Sequence, residues 1–470
     1  NFSFNINKKL KLNDLEVETT LALKELIFDS RNLKLKPYFN NLNEEMKLEN
    51  HKIIINYKKN TFNISGNGNI LFDDKSDNLS YRIIKKKNEL SFDSKIKLKN
   101  NPLLINFLDY KKKENLSSVI SIKGTLNKDN ELKFDLISLK EKNNKILIEG
   151  LDLSKDFKIM NIKNFDIDYK NSQNILNKLN IRTNNSSFIL EGESFDASKM
   201  INNIMNNDNE DSSTFQSLNS KIKIRVKKIY IDKVNYINNV YGNINFNDNK
   251  IKDLKLDSNF SNGEKINISI KTNKDSQTIT KLFSSYPKPL IKRYDFIKGF
   301  EEGSLEFYST KKDDESNSVL IINNFKVKEV PIFAKLLSLA SLQGIADLLT
   351  GEGIRFTNFE MNFSKKKKLT TIEEMYAIGP AVSILMNGYI ESKNLVSLRG
   401  TLVPATTINR SIASIPLLGK ILIGEKTGEG VFGVSFKIKG PPKNLKTSVN
   451  PIKTLTPRFI TRTLEKIKKN

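Results

Sequence analysis

The chain has 470 residues and a formal net charge of +24, from 77 lysines and arginines against 53 aspartates and glutamates. It has no cysteine and one histidine, His51. That excludes disulfides, a thiolate nucleophile and cysteine metal sites, and leaves little material for a zinc centre or a histidine relay.

The length allows two to four domains. The positive charge has two readings: attraction to phosphate, in nucleic acid or anionic headgroups, or the Lys, Asn and Ile usage of an AT-rich genome. The lysines often recur at every second residue of a strand-like run, which describes a solvated face more than a focused patch. His51 reads as a surface or strand-edge residue. No run of 18 uncharged apolar residues exists, so no span is expected, and no secretory signal is visible. The chain opens on NFSFNINKKLKL, already strand-like, and we expect a further N-terminal portion, with any anchor, to precede it.

Period-two alternation dominates the chain and predicts half-buried strands. Leu90, Phe92, Ile96 and Leu98 share one face of LSFDSKIKLK, with the charged residues on the other. The same pattern places Phe134 and Leu136, Ile224 and Val226, Leu254 and Leu256, and Ile268 on apolar faces. It recurs with Phe359, Met361 and Phe363, and with Phe432, Val434, Phe436 and Ile438. Polar stretches such as SGNGN (65–69), DDKSDN (73–78) and KEKNNK (140–145) read as turns, so the whole reads as an antiparallel meander. Such a sheet can close as a sandwich or barrel, be covered by helices, or curl into a ligand-filled trough.

Short helices are expected at 173–180 and at 196–206, the latter capped by Asp196, and another after Pro289. A longer helix is expected from Pro331 to about Thr350, with Leu336, Leu339, Leu342, Ile345 and Leu349 at helical spacing and Gly351 as its stop. It would be about 28 Å long. The four-lysine run Lys365, Lys366, Lys367 and Lys368 reads as a hairpin turn, with headgroup contact as the functional alternative. The terminal PRFITRTLEKIKKN, carrying Arg458 and Arg462, reads as a basic amphipathic helix suited to an anionic membrane surface or to packing on the sheet.

Motifs for chemistry are weak. GEGVFG (428–433) satisfies G-x-G-x-x-G but precedes a strand, where a dinucleotide fingerprint would open a helix. GESFD (192–196) lacks the second glycine of a nucleophile elbow. The clusters at Asp73–Asp74 and Asp313–Glu315 lack calcium-loop spacing. No enzyme activity, metal or cofactor is expected.

GESFDAS (192–198), FKVKEVPIFAKLLSLASLQGIADLLTGEGIRF (325–356), GTLVPATTIN (400–409), IPLLGKIL (415–422), TGEGVFGVSFKIKGPP (427–442) and SVNPIKTLTP (448–457) together resemble the C-terminal region of AsmA-like proteins. These belong to the bridge-like lipid-transfer superfamily of bacterial envelope proteins. The resemblance covers about residues 180–465 and departs from the family in lacking its N-terminal membrane helix and in being basic and Asn-rich. It implies a mainly β fold, a long twisted antiparallel sheet curled into an apolar trough, with a few short helices. It implies a protein of the periplasm, anchored in the inner membrane, that moves glycerophospholipid between membranes. Its partners would be phospholipids, both membrane surfaces and envelope proteins, and not nucleic acid. Two acyl chains cost roughly 20 kcal/mol to expose to water, and a continuous trough would remove most of that barrier.

The sequence therefore divides into an N-terminal β-trough segment (1–180), a middle β segment (181–330) and an AsmA-like end (331–470). The alternating apolar sets are the candidate trough lining, helix 331–350 a candidate cap, and Lys365–Lys368, Arg458 and Arg462 candidate headgroup contacts. The alternative function is a non-enzymatic structural or assembly factor of the outer envelope, using the same sheet as a scaffold for partner proteins.

Overall fold

The structure is a computed structural model that describes residues 1–6, 12–31, 35–36, 38–39, 42–128, 131–155, 159–184, 187–199, 201, 220–247, 250–293, 299–328, 353–380, 382–392, 394–404, 434–442 and 444–449. It divides into two compact units, Asn1–Ile251 and Lys252–Asn470.

The first unit holds β1 (Phe2–Ile6), β2 (Leu12–Asp29), β3 (Glu45–Lys58), β4 (Thr61–Leu71), β5 (Ser76–Lys86), β6 (Glu89–Leu98), β7 (Leu103–Ile105) and β8 (Tyr110–Lys112). It continues with β9 (Ser118–Leu126), β10 (Leu132–Glu141), β11 (Asn144–Leu153), β12 (Ile159–Lys170), β13 (Leu176–Asn184), β14 (Ser187–Asp196), β15 (Lys221–Tyr230) and β16 (Tyr236–Asn247). Sequence neighbours pair antiparallel from β1 to β6, β6 pairs with β9, and pairing resumes in order to β14. β7 and β8 form a separate small ribbon. Among the described pairings one is parallel. β14 and β15 run parallel, Ser187 opposite Lys221 and Asp196 opposite Tyr230. A parallel pair needs a long crossover, and the 24 residues between those strands supply it.

The second unit holds β17 (Lys250–Phe260), β18 (Lys265–Thr272), β19 (Thr278–Ser284), α1 (Lys288–Arg293), β20 (Phe300–Lys312), β21 (Glu315–Val327) and β22 (Ile354–Lys366). It ends with β23 (Leu369–Ile378), β24 (Val382–Glu391), β25 (Leu395–Pro404), β26 (Val434–Gly440) and β27 (Lys446–Val449). These strands pair antiparallel in order. Helix α1 contains Pro289 in its first turn, as expected.

The expected trough is corrected. In neither unit is the sheet closed or curled, and β1 and β27 each pair with a single neighbour among the described residues. The physical reason lies in the apolar face of the second unit. Phe359, Met361, Phe436 and Ile438, expected to line an open slot, are buried in one cluster with Phe300, Ile322, Phe325 and Leu402, and Phe363 packs against it. Side chains fill the space that lipid tails would need.

Local expectations were corrected as well. The segment expected as a helix at 173–180 is a turn followed by β13. Asn171 Oδ1 accepts from the backbone N–H of Gln173 (3.1 Å) and Ile175 (2.9 Å), closing that turn. SGNGN, read as a turn, lies inside β4. At 198 a helical turn does open, and Asp196 Oδ1 accepts the Ser198 N–H at 2.9 Å. The expected helix 331–350 and the terminal basic helix lie outside the described residues.

Candidate functional site

Of the remaining expected lining residues, Leu98, Ile224, Val226 and Leu254 are buried, and Leu90, Phe92, Ile96, Phe134, Leu136, Leu256 and Ile268 are half-buried. Phe92 and Phe134 meet edge to face at 5.8 Å over Gly124, which pairs with both. A Cβ at Gly124 would sit 2.8 Å from Phe92 Cζ and against the Lys133 carbonyl. Val434 is placed on β26 opposite Leu402, and Phe432 lies outside the described residues. The apolar sets are thus spread over two units and engaged with their own neighbours. Within each unit the described apolar residues form no continuous lipid-binding groove, which corrects the lipid-carrier reading.

The expected periplasmic location with an inner-membrane anchor is corrected too. Among the described residues no helix is long and apolar enough to cross a membrane. The lysine run does form a hairpin end: Lys366 pairs opposite Leu369, and Lys367 takes φ 52° in the turn. Lys366 forms an ion pair with Glu315 of the neighbouring hairpin, so an acid already neutralises part of that run. Arg458 and Arg462 lie outside the described residues.

His51 is not at the surface. It is 1% exposed on β3. Its Nε2 lies 2.8 Å from the Asn69 carbonyl oxygen, which fixes Nε2 as the protonated nitrogen, and buried Nδ1 has no hydrogen-bond partner. The ring lies over Gly68, and Tyr81 covers Gly66 beside it, with the two rings 5.8 Å apart. Nothing acidic or nucleophilic bonds to it, so it packs the sheet and organises no relay.

The densest polar chemistry was not anticipated. Between β6 and β9 the chain leaves the ladder for residues 99–117, forming the β7–β8 ribbon and a 3-10 turn at Asn106–Leu108. A buried carboxylate ties this excursion down. Asp77 accepts from the backbone N–H of Lys99 (2.7 Å), Asn100 (2.9 Å) and Asn101 (3.1 Å), and from the Asn101 amide (2.9 Å). Lys112, 0% exposed, donates to the carbonyls of Lys99 at 2.8 Å and Asn101 at 2.6 Å. Burial lowers its pKa, and the charges of Asp77, Glu141 and Glu114 oppose that effect.

On the other side of the excursion, the Tyr110 hydroxyl donates to Glu141 and the Tyr169 hydroxyl to the Leu108 carbonyl. Their rings meet at right angles, 5.5 Å apart. Burial pushes both phenols well above the usual tyrosine range. The Glu141 bond adds to this for Tyr110, and the charges of Asp109 and Asp196 add to it for Tyr169. Asp109, left-handed at φ 51°, accepts from Ser172 Oγ at 2.8 Å and pairs with Lys199.

This arrangement clamps a loop to the sheet. The buried charged groups Asp77, Lys112 and Glu141 all have internal partners, and the donors and acceptors point at one another. Among the described residues no group of His, Asp and Glu is disposed to hold a metal ion. The sequence did hold a signal for it: KNNPLLINFLDYKKKEN breaks the alternation, is too long for a hairpin turn, and mixes apolar residues with charges. No family model, curated protein or solved structure matches the chain.

Proposed function

We propose that this chain is a non-enzymatic structural or assembly factor of the outer envelope, whose strands serve as a scaffold for partner proteins. The observation that carries this reading is the filled apolar face. Phe359, Met361, Phe436 and Ile438 are consumed by the core of the second unit, so its outward strand faces and hairpin ends are what remain for recognition. The clamp of residues 99–117 fits the same role, because it fixes a loop where a catalyst would leave a substrate space. The resemblance to AsmA-like proteins supports the envelope setting, with envelope proteins as partners.

Photo-crosslinking from Tyr308, 40% exposed on β20, tests it together with mass spectrometry of organic extracts of the purified protein. The reading expects a discrete crosslinked protein and no stoichiometric phospholipid. Stoichiometric phospholipid, or crosslinks to no protein, overturns it.

A further inference from the structure

We propose that the outward face of β23–β26 in the second unit binds a phosphomonoester group. A depression of about 730 Å³ lies there. Its floor includes Ile372 and Ile438, whose side chains enter the core on the opposite face. The residues alternating with them point outward and line it: Asn387, Tyr389, Arg399, Lys437 and Lys439, with Glu373 as the one acid.

Register brings the cations together. Arg399 stands directly opposite Lys437, and Lys439 opposite Ser397. Like charges facing each other across two strands destabilise a sheet unless something neutralises them. Some other cations of this unit have acids: Lys288 and Lys328 at Glu301, Arg355 at Glu302, and Lys366 at Glu315. Arg399, Lys437 and Lys439 form no ion pair among the described residues. The three cations lining the depression and Glu373 sum to about +2, and Lys446 opposite Lys439 adds to it, a surplus that suits the −1.5 to −2 of a phosphomonoester near pH 7.

The geometry also suits an anion with several oxygens and two charges. Asn387 Oδ1 accepts from Arg399 Nε at 2.9 Å. That bond fixes the guanidinium plane and leaves its two terminal nitrogens for a bidentate contact. The lysines lie about 5 Å away across the strands or about 7 Å apart along β26, and Tyr389 and Ser397, which pair with each other, add hydroxyl donors at the rim. A carboxylate would leave positive charge uncompensated.

Calorimetric titration of the full chain with inorganic phosphate, then with glycerol 3-phosphate, tests the site. Saturable binding is expected, with Arg399→Ala and the pair Lys437→Ala/Lys439→Ala each weakening it about tenfold or more. Arg399→Lys, which keeps the charge and the fold but loses the fork, should weaken it measurably. The control pair Lys221→Ala/Lys223→Ala on β15 removes the same charge elsewhere and should leave affinity unchanged. Sedimentation with phosphatidylcholine vesicles containing phosphatidic acid, compared with phosphatidylcholine alone, separates a headgroup source from a free phosphate. No saturable binding up to about 10 mM phosphate, or equal weakening by the control pair, overturns the proposal.

Discussion

Ile322 and Phe325 lie three residues apart on β21 and both enter the core, at 0% and 1% exposure. A regular strand sends residues i and i+3 to opposite faces. The residue between them that resolves the conflict is Asn324, held at φ 52°. The left-handed residue resets the pleat, so Ile322 below it and Phe325 above it face the same way. Phe325 then stacks on Phe300 at 5.4 Å and on Phe356 at 5.3 Å. Asparagine tolerates this region and β-branched residues do not. Asn324→Gly should leave stability within about 0.5 kcal/mol, whereas Asn324→Val should cost about 1–3 kcal/mol. Urea unfolding of both variants checks it, and equal stability would refute the role assigned to Asn324.

Glycine inside a strand answers a second steric demand. Gly124 is flanked by Phe92 and Phe134 on the adjacent strands, and any Cβ there meets the Phe92 ring and the Lys133 carbonyl. The backbone oxygen cannot move aside without breaking the ladder. Gly124→Ala should therefore destabilise the first unit by about 1–3 kcal/mol. Phe92→Leu in the same background should recover part of that loss by withdrawing the ring. Thermal unfolding of the single and double variants tells ring crowding from backbone crowding.

These two positions show how far the sequence could be read. Alternation located strands such as β6, β10, β15, β17, β22 and β26, because an outward lysine and an inward Ile or Phe leave a clear period of two. It failed where a strand carries its own reset. Asn50, Asn239 and Asn324 all sit at positive φ within strands, so part of an Asn content attributable to genome composition has a conformational use. It failed at SGNGN, where glycines look like a turn until Tyr81 and His51 are seen to occupy the space they leave. It failed at β13, where Asn177 takes a buried position among apolar neighbours and donates to the Ile175 carbonyl. Whether the apolar faces enclose a slot or pack solid was not written in the period at all, since both arrangements need the same alternating residues. The Arg399–Lys437 opposition was equally hidden, because register across strands decides which cations meet.

Asp77 is the residue on which the 99–117 excursion depends most. Its two oxygens accept four N–H donors, and an amide at that position offers only one oxygen. Asp77→Asn should place an N–H donor against other donors and cost about 2–3 kcal/mol. The midpoint of urea unfolding should fall with its slope unchanged. Amide exchange of Lys99, Asn100 and Asn101 should accelerate more than that of β11 or β12. Uniform acceleration across the first unit would mean that the carboxylate supports the whole sheet and not the excursion.

Tyr110 and Tyr169 make the first unit sensitive to alkali. Each is 1% exposed, and burial raises each phenol above its unfolded value of about 10. Their contribution is complete below about pH 10 and is lost as pH rises toward the raised values, because the unfolded chain releases protons that the native state keeps. Above pH 10 each should steepen the loss by about 1.4 kcal/mol per pH unit. Lys112 has the opposite sign. Its lowered pKa makes stability rise between that value and about 10.5, so it partly offsets the tyrosines just above pH 10 and no longer does so above 10.5. Tyr110→Phe and Tyr169→Phe should each flatten the dependence between pH 10.5 and 11.5. Tyr169→Phe is the cleaner test, since its hydroxyl bonds only a backbone carbonyl, while Tyr110→Phe also leaves Glu141 without its partner. Urea unfolding at half-unit pH steps measures both slopes, and a Tyr169→Phe slope equal to that of the unaltered chain would show that this phenol ionises as freely folded as unfolded.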